Sequence, residues 1–454
     1  MESVSTKQQR IAQVARSYRE VTTLAHHLDI NWMWEAYRRV KRKSASGIDG
    51  MTLSDYEVNL MDNLKDLLAR IRNGSYQAPP VKRAHIPKNE HERRPIGIPT
   101  VEDKIAQHAI VMLLEPIYEL DFHPFSFGFR RGRGPHQALD HLRSQCFEQR
   151  TGWILDVDLR RYFDTIGHAK LREVLRHRVR DGVVLRLIDK WLKAGVMEEG
   201  QLSYRDEGTP QGGVISPLLS NIFLHEALDD WYVGQWRNRL KGGSFVVRYA
   251  DDFVVGFERR EEAEATLAAL RERFSEYGLQ LHPQKTRLIR FNRPRKGQGA
   301  VEPKPETFDF LGFTHYWGVS RRGNTVVKVK TSSPRFTRTL KNLTEWLREN
   351  RHLPLKEQQQ KLNEKLRGHD AYYGVIGNFD SLSNLRYEVR RVWRKWLMRR
   401  SRERKLSWEK FDAMTRTYPL ASARIVHSNS QRNRRTEEPD ALIALVRFCG
   451  GAAG

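Results

Sequence analysis

Hydrophobic positions fall into two kinds of run along this chain. Short β-branched and aromatic stretches predict strands: Val81 to Ile86, Pro95-Ile96-Gly97-Ile98, Trp153 to Leu159, Phe245-Val246-Val247 and Phe253-Val254-Val255-Gly256-Phe257. Longer stripes of helical period predict amphipathic helices. They are Ile110, Val111, Leu113 and Leu114 within 102–118; Leu218, Leu219, Ile222, Phe223 and Leu228 within 218–230; and Leu267, Leu270, Phe274 and Tyr277 within 261–277, with Gly278 suited to the C-terminal cap. Near the start, Trp34, Tyr37 and Val40 also recur at helical spacing. After Phe308-Asp309-Phe310-Leu311-Gly312-Phe313 the character changes. Phe336, Leu340, Leu343 and Leu347 mark one helix over 335–350, and Leu385, Val389, Val392, Trp393 and Trp396 mark another over 382–400. The pattern predicts an α+β fold followed by a small helical bundle.

Two of the strand runs are separated only by Ala250, Asp251 and Asp252, which predicts a β-hairpin with adjacent carboxylates at its tip. Two neighbouring carboxylates repel one another unless something neutralises them, and a divalent cation does that. A further acidic strand lies upstream, where Asp156 and Asp158 share one face of the run Trp153 to Leu159. One or both would converge on Asp251. Two Mg²⁺ ions held there, about 3.5–4 Å apart, would clamp the attacking and leaving oxygens of a phosphoryl transfer.

Charge narrows the partners. Among 454 residues, Lys and Arg number 79 against 55 Asp and Glu, a formal net charge of +24. Nucleic acid is the first candidate and an anionic membrane surface the second, but no polar-faced helix with a strongly apolar opposite face stands out. The basic residues are interleaved with Trp, Tyr and Phe, which suits phosphate tracking with base stacking. The cysteines are Cys146 and Cys449, too few for a zinc cluster and unlike a disulfide framework. No apolar run approaches the roughly 20 residues that span a bilayer, and the first residues have no signal-peptide pattern. The chain reads as a soluble, intracellular protein.

Several polar segments carry two readings each. Lys88 and Arg94 flank the turn between the strands of 81–99, as solvated hairpin charges or as two contacts to one triphosphate. Phe125 to Gly134 is aromatic, basic and glycine-rich, a mobile loop or one that lays Arg130 and Arg131 against nucleic acid. Ser44 to Gly50 is a plain turn or a weak phosphate loop. Gly208 to Asn221 is a turn into a helix, where the Gln211 side chain and free amides would meet a nucleotide. The single-sign run around Arg390, Arg391, Arg394 and Lys395 favours binding of a helical nucleic acid over a merely solvated face.

Taken in order, these blocks resemble reverse transcriptases of the bacterial group II intron-encoded type. The resemblance rests on Tyr249-Ala250-Asp251-Asp252, Asp158-Leu159-Arg160-Arg161-Tyr162-Phe163-Asp164, Pro210 to Asn221, Ile86-Pro87-Lys88, Arg94 to Pro99, Phe127-Gly128-Phe129-Arg130, Gly278 to Thr286 and Phe310-Leu311-Gly312-Phe313, and it runs from about residue 25 to 425. It implies a right-hand polymerase: an N-terminal helical extension (1–45), fingers and palm with antiparallel sheet (46–315), an α-helical thumb or maturase domain (316–425) and a flexible tail (426–454). It implies that Asp158, Asp251 and Asp252 hold the two Mg²⁺ ions, with Asp156 a neighbour rather than a ligand. Lys88 and Arg94 would hold the incoming dNTP, Gln211 the nucleotide, and Lys285 would help at the same site. Phe163 stands where the family places a ring under the sugar, and such a ring clashes with a 2′-hydroxyl. The expected partners are an RNA template, intron RNA, a DNA primer or target, and dNTPs.

The chain lacks the cysteines and length of the His-Asn-His endonuclease domain found in many relatives, so it is not expected to cut a second target strand. The implied function is an RNA-directed DNA polymerase that also binds group II intron RNA for splicing and retrohoming. Its rivals are a domesticated enzyme of phage defence or DNA repair, and an RNA-binding splicing factor with little polymerase activity. An RNA-directed RNA polymerase is disfavoured by Phe163.

Overall fold

The computed structural model describes residues 2–87, 93–198, 201–204, 208, 212–294, 305–320, 322–400 and 406–427. Lys88, Gln211 and the tail beyond residue 427 lie outside the described residues. In chain order the strands are β1 (Val81–Pro87), β2 (Arg93–Ile98), β3 (Trp153–Val157), β4 (Val196–Glu198), β5 (Gln201–Ser203), β6 (Ser244–Tyr249), β7 (Asp252–Phe257), β8 (Arg287–Arg290), β9 (Phe308–Phe310), β10 (Phe313–Val319) and β11 (Thr325–Thr331). They form three sheets, ordered β2-β1-β4-β5, β6-β7-β3-β8 and β11-β10-β9. The chain divides into two compact units, the first of Met1–Arg130, Val157–Phe253 and Glu261–Arg287, the second of Arg131–Asp156, Val254–Arg260 and Leu288–Gly454.

The first unit is organised around the helix Val101–Asp121. Thr100 caps its start by accepting from the Asp103 amide at 3.2 Å, and its apolar residues are buried nearly all round, as in a helix surrounded by neighbours. The N-terminal segment packs on it: the Trp32 indole Nε1 donates to the Ala109 carbonyl at 2.9 Å. The buried face of the helix Ile30–Arg38 is Trp32, Met33 and Ala36, whereas Trp34 is exposed. Of the residues that recur at helical spacing, Trp34 is exposed, Tyr37 is half-buried, and Val40 is buried just beyond the end of the helix at Arg38. β1 and β2 pair antiparallel, with Ile86 opposite Arg94. The predicted stripe at 218–230 is buried, but its helix changes winding. Ser216–Leu224 is α-helical, and His225–Asp230 is a π-turn. The helix Arg260–Glu276 follows, and Gly278 adopts φ +70° just beyond it.

The second unit contains the sheet β11-β10-β9 and the helices Ser333–Glu349, Leu355–Tyr373, Phe379–Met398 and Trp408–Thr417. These helices share one core of Leu343, Leu347, Leu362, Leu366, Leu385, Val389, Trp393, Leu397 and Phe411. Phe336 and Leu340 pack at its edge, so the predicted stripe of 335–350 faces inward as expected. Trp393 is fully buried, and its indole NH donates to Gln358 Oε1 at 2.9 Å.

Candidate active site

β6 and β7 are adjacent strands joined through Ala250 and Asp251, so the predicted hairpin forms. Ala250 has φ +56°, a left-handed conformation that a residue with a Cβ adopts only where its surroundings impose it. Gly128 supplies part of that imposition. A Cβ on Gly128 would lie 2.2 Å from the Ala250 amide nitrogen, so only glycine lets the two backbones meet. The Gly128 carbonyl in turn accepts from Asn221 Nδ2 at 2.6 Å.

A fully buried arginine completes the clamp. Arg248 lies in β6 with its guanidinium against Asp229, which is also fully buried: Nε donates to both carboxylate oxygens (2.9 and 3.1 Å) and Nη2 to Oδ2 (2.5 Å). Its Nη1 donates to Asn221 Oδ1 at 3.0 Å and to the Ala250 carbonyl at 3.1 Å. Burial pushes the Asp229 carboxyl up, but the Arg248 charge outweighs it and holds the pKa below the usual carboxylate value. The Arg248 backbone pairs with the same loop, accepting from the Phe127 amide and donating to the Phe125 carbonyl, each at 2.9 Å. The carboxylate turn is therefore fixed from two sides.

Around this turn the structure gathers Asp158, Asp251, Arg94 and Lys285. Asp251 is partly exposed at its mouth, yet its surroundings strip enough water to raise its pKa, and the negative charge of Asp158 raises it further. The nearby charges of Arg94 and Arg248 act in the opposite direction. Asp252 opens β7 and is exposed. Asp158 follows the last residue of β3, and its carbonyl accepts from the His282 amide at 2.8 Å. Lys285 Nζ lies 3.5 Å from Asp158 Oδ2. Crowded carboxylates at the mouth of a site, with cations drawn to them, fit the donor set of a hard divalent metal ion. Asp156, by contrast, lies within β3.

Phe163 sits half-buried on the short helical turn Tyr162–Thr165, edge-on to Tyr162 with ring centroids 5.3 Å apart. Tyr162 is buried and donates to the Ser220 carbonyl at 2.7 Å. The segment after Gln211 reaches β2: a Cβ on Gly212, whose φ is +111°, would lie 2.6 Å from the Gly97 carbonyl oxygen. That contact places this loop beside the strand that carries Arg94.

Arg130 is a correction. Its side chain is 2% exposed, paired to Glu119 through Nε and Nη2 (3.0 and 2.6 Å) and donating from Nη1 to the His123 and Ser126 carbonyls at 2.7 Å each. It locks the loop from within and presents no donor to a nucleic acid, whereas Arg131 is exposed. In the helical unit, Arg390 pairs with Asp412, Arg391 with Glu388, and Arg394 covers the Trp408 ring at 4.2 Å while donating to the Leu406 carbonyl. Lys395 is exposed, its Nζ 5.9 Å from the Trp396 ring centroid. Arg248 and its partner Asp229 are the site residues that pattern reading missed. An arginine inside an otherwise apolar strand run was the available signal, since a buried guanidinium demands a buried anion.

Residues 86–315, just over half of the chain, match the family described as "Reverse transcriptase (RNA-dependent DNA polymerase)". Residues 335–413 match the "Group II intron, maturase-specific domain". The chain is 37% identical over 258 residues to "Protein YkfC" of Escherichia coli (strain K12), covering 49% of this chain and 67% of that protein. It is 40% identical over 166 residues to "Group II intron-encoded protein LtrA" of Lactococcus lactis subsp. cremoris, covering 36% of this chain and 27% of LtrA. A 26% identity over 405 residues relates it to the "Uncharacterized 91 kDa protein in cob intron" of Schizosaccharomyces pombe, covering 76% of this chain and 49% of that protein. The chain thus spans well under half of LtrA and about two thirds of YkfC. With its acidic hairpin, its reverse transcriptase match and the maturase-specific domain that follows, the chain belongs to the reverse transcriptase family, in its group II intron-encoded branch.

Proposed function

We propose that the chain is an RNA-directed DNA polymerase that adds dNTPs to a primer 3′-hydroxyl on an RNA template, and that its helical unit binds group II intron RNA to assist splicing and retrohoming. The observation that carries this reading is the clamped turn, which holds Asp251 against the charge of Asp158 with Arg94 in electrostatic reach. Reverse transcriptases generally use divalent metal ions. Asp158 and Asp251, with Asp252 beside them, would hold two Mg²⁺ ions, whose chemistry is to neutralise charge developing on the reacting phosphate oxygens. The primer oxygen forms the new bond to the α-phosphorus as the bond to the pyrophosphate leaving group breaks. Arg94, with Lys88 and Gln211, binds and orients the triphosphate, and Lys285 supplies a further positive charge beside Asp158. Phe163 shapes the sugar pocket against a 2′-hydroxyl. Among the described residues no helix is long and apolar enough to cross a membrane, and none is needed for this role.

Primer extension on an RNA template with purified protein and Mg²⁺ tests the reading. Asp251→Ala is expected to lose on the order of a thousandfold in extension, about 4 kcal/mol of transition-state stabilisation. RNA affinity should stay near that of the parent protein. A variant that still extends primers, or a folded RNA-binding parent that never does, overturns the polymerase assignment. In the same assay Phe163→Val is expected to raise rNTP use relative to dNTP. An unchanged ratio removes Phe163 from sugar selection.

A further inference from the structure

One cluster in the first unit takes no part in the proposed polymerase site. His123 follows the central helix Val101–Asp121, and His225 and Asp230 are the first and last residues of the π-turn. His123 Nε2 lies 2.9 Å from Asp230 Oδ1, and His225 Nε2 lies 3.4 Å from Asp230 Oδ2. One ligand atom from each of the three residues lies within 4.8 Å of the other two. Around a tetrahedral metal with bonds of about 2.0–2.2 Å, neighbouring ligand atoms sit roughly 3.4 Å apart. The cluster is close to that spacing already.

The His123–Asp230 contact alone is an ordinary imidazole–carboxylate pair. His225 is what the pair leaves unexplained. It is 7% exposed, and its Nδ1 is buried with no hydrogen-bond partner among the described residues. The carboxylate facing that nitrogen, Asp229 Oδ2, stands 3.7 Å away, beyond hydrogen-bond reach. A buried imidazole nitrogen without a hydrogen bond is costly, and π-turns inside helices recur at functional sites because the extra residue re-aims side chains. Here the wider winding brings residues 225 and 230 to one side of the helix. A metal on His225 Nε2 would fix the ring and set its Nδ1–H toward Asp229, the carboxylate–histidine–metal arrangement that orients metal-bound imidazoles. Asp230 is 55% exposed at the side chain, which leaves the outer side of the cluster open to a water ligand.

We propose that His123, His225 and Asp230 form a binding site for a borderline divalent cation of the zinc class, separate from the acidic hairpin. Two imidazoles with one carboxylate select zinc and its transition-metal neighbours over Mg²⁺, whereas the hairpin offers only oxygen donors. The ion would tie together two segments about a hundred residues apart in sequence. One is the corner that leads into Phe125, whose carbonyl accepts from the Arg248 amide; the other is the π-turn whose Asp229 holds the Arg248 guanidinium. Both ends of the tie therefore touch the residue that clamps the carboxylate turn.

The test uses the full chain, stripped with a chelator and titrated with Co²⁺ and with Zn²⁺ in excess Mg²⁺ so that the oxygen-donor site is already filled. Visible d–d absorption reports the coordination of Co²⁺, and elemental analysis after dialysis counts retained zinc. The expected result is one equivalent per chain, a four- or five-coordinate cobalt spectrum, and a zinc-dependent rise in thermal midpoint. His123→Ala and Asp230→Asn, both at partly exposed positions, should weaken binding at least tenfold and lose the zinc-dependent rise while keeping the parent far-UV spectrum. Asp251→Ala should bind as the parent does. No retained metal in the parent, or retention that survives both cluster variants, overturns the site. Loss of binding in Asp251→Ala alone would assign the metal to the hairpin and overturn it equally.

Discussion

Arg248 in the first unit and the arginines on the rim of the second unit's helical core are used in opposite ways, although the second unit also holds a buried pair, Arg386 with Asp370. In the first unit, Arg248 and Asp229 are both fully buried, and each nitrogen of the guanidinium donates to Asp229, Asn221 or the Ala250 carbonyl. In the second, Arg390, Arg391 and Arg394 lie around a largely apolar core, paired to neighbours on their own helix or the segment that follows it. A buried ion pair costs desolvation on both sides, so its retention is understandable where it specifies a geometry. A rim arginine costs little and can exchange its local carboxylate for a phosphate. The difference teaches that the buried Arg248 serves positioning of the carboxylate turn, whereas Arg391 on the helical rim keeps its charge at the surface. Arg130 follows the first rule, though its sequence context, between two aromatics and two further arginines, resembles the second.

The comparison is most easily broken at Arg248. Arg248→Met strands Asp229 in a dry site and is expected to cost about 3–5 kcal/mol of stability, read as a fall in the denaturation midpoint. Adding Asp229→Leu should restore most of that loss, because an apolar pair of similar volume replaces the ion pair. Primer extension should stay low in the double variant, since the bonds to Asn221 and to the Ala250 carbonyl are still missing. If the double variant recovers both stability and extension, the ion pair serves stability alone and the contrast between the units disappears.

Gly128→Ala is a smaller and more local lesion. The added methyl must displace the Ala250 backbone, and a misplacement of about 1 Å at a catalytic group costs on the order of a hundredfold in rate. The expected outcome is a loss of that size in primer extension with RNA affinity unchanged. Parent-like extension would mean that the turn tolerates movement, and that clamping is not what distinguishes the first unit.

The hairpin, the paired strands at 81–98 and the helical stripes of 261–277, 335–350 and 382–400 were legible because each is a local pattern of period two or 3.6. What holds the hairpin was not, because its partners come from distant segments. Gly128 meets Ala250, and Asp229 meets Arg248, only once the chain has folded. The same limit hid the cluster of His123, His225 and Asp230. Two cysteines argue against a thiolate zinc site, but they carry no information about a ligand set assembled from imidazoles a hundred residues apart. Arg130 failed for a related reason: composition reports how many charges a loop carries, and burial decides which of them face a partner.

The smallest expected effect belongs to the rim of the helical unit, and it sharpens the contrast from the other side. Arg391 is exposed and pairs with Glu388 one turn earlier at 3.1 and 3.2 Å, the kind of surface pair that contributes about 0.5 kcal/mol or less. Arg391→Ala should therefore leave the denaturation midpoint almost unchanged. If Arg391 contacts an RNA phosphate, the variant's binding should weaken uniformly across sequences, and the slope of log affinity against log salt should shrink by about 0.7–0.9, one counterion's worth. Arg130→Ala provides the mirror image. Removing a 2%-exposed guanidinium that serves Glu119 and two carbonyls should lower stability and leave the salt slope alone. Should Arg391→Ala leave the slope unchanged while Arg130→Ala reduces it, the loop and not the helical rim meets the phosphates, and the division of labour between the two units is the reverse of the one their burial implies.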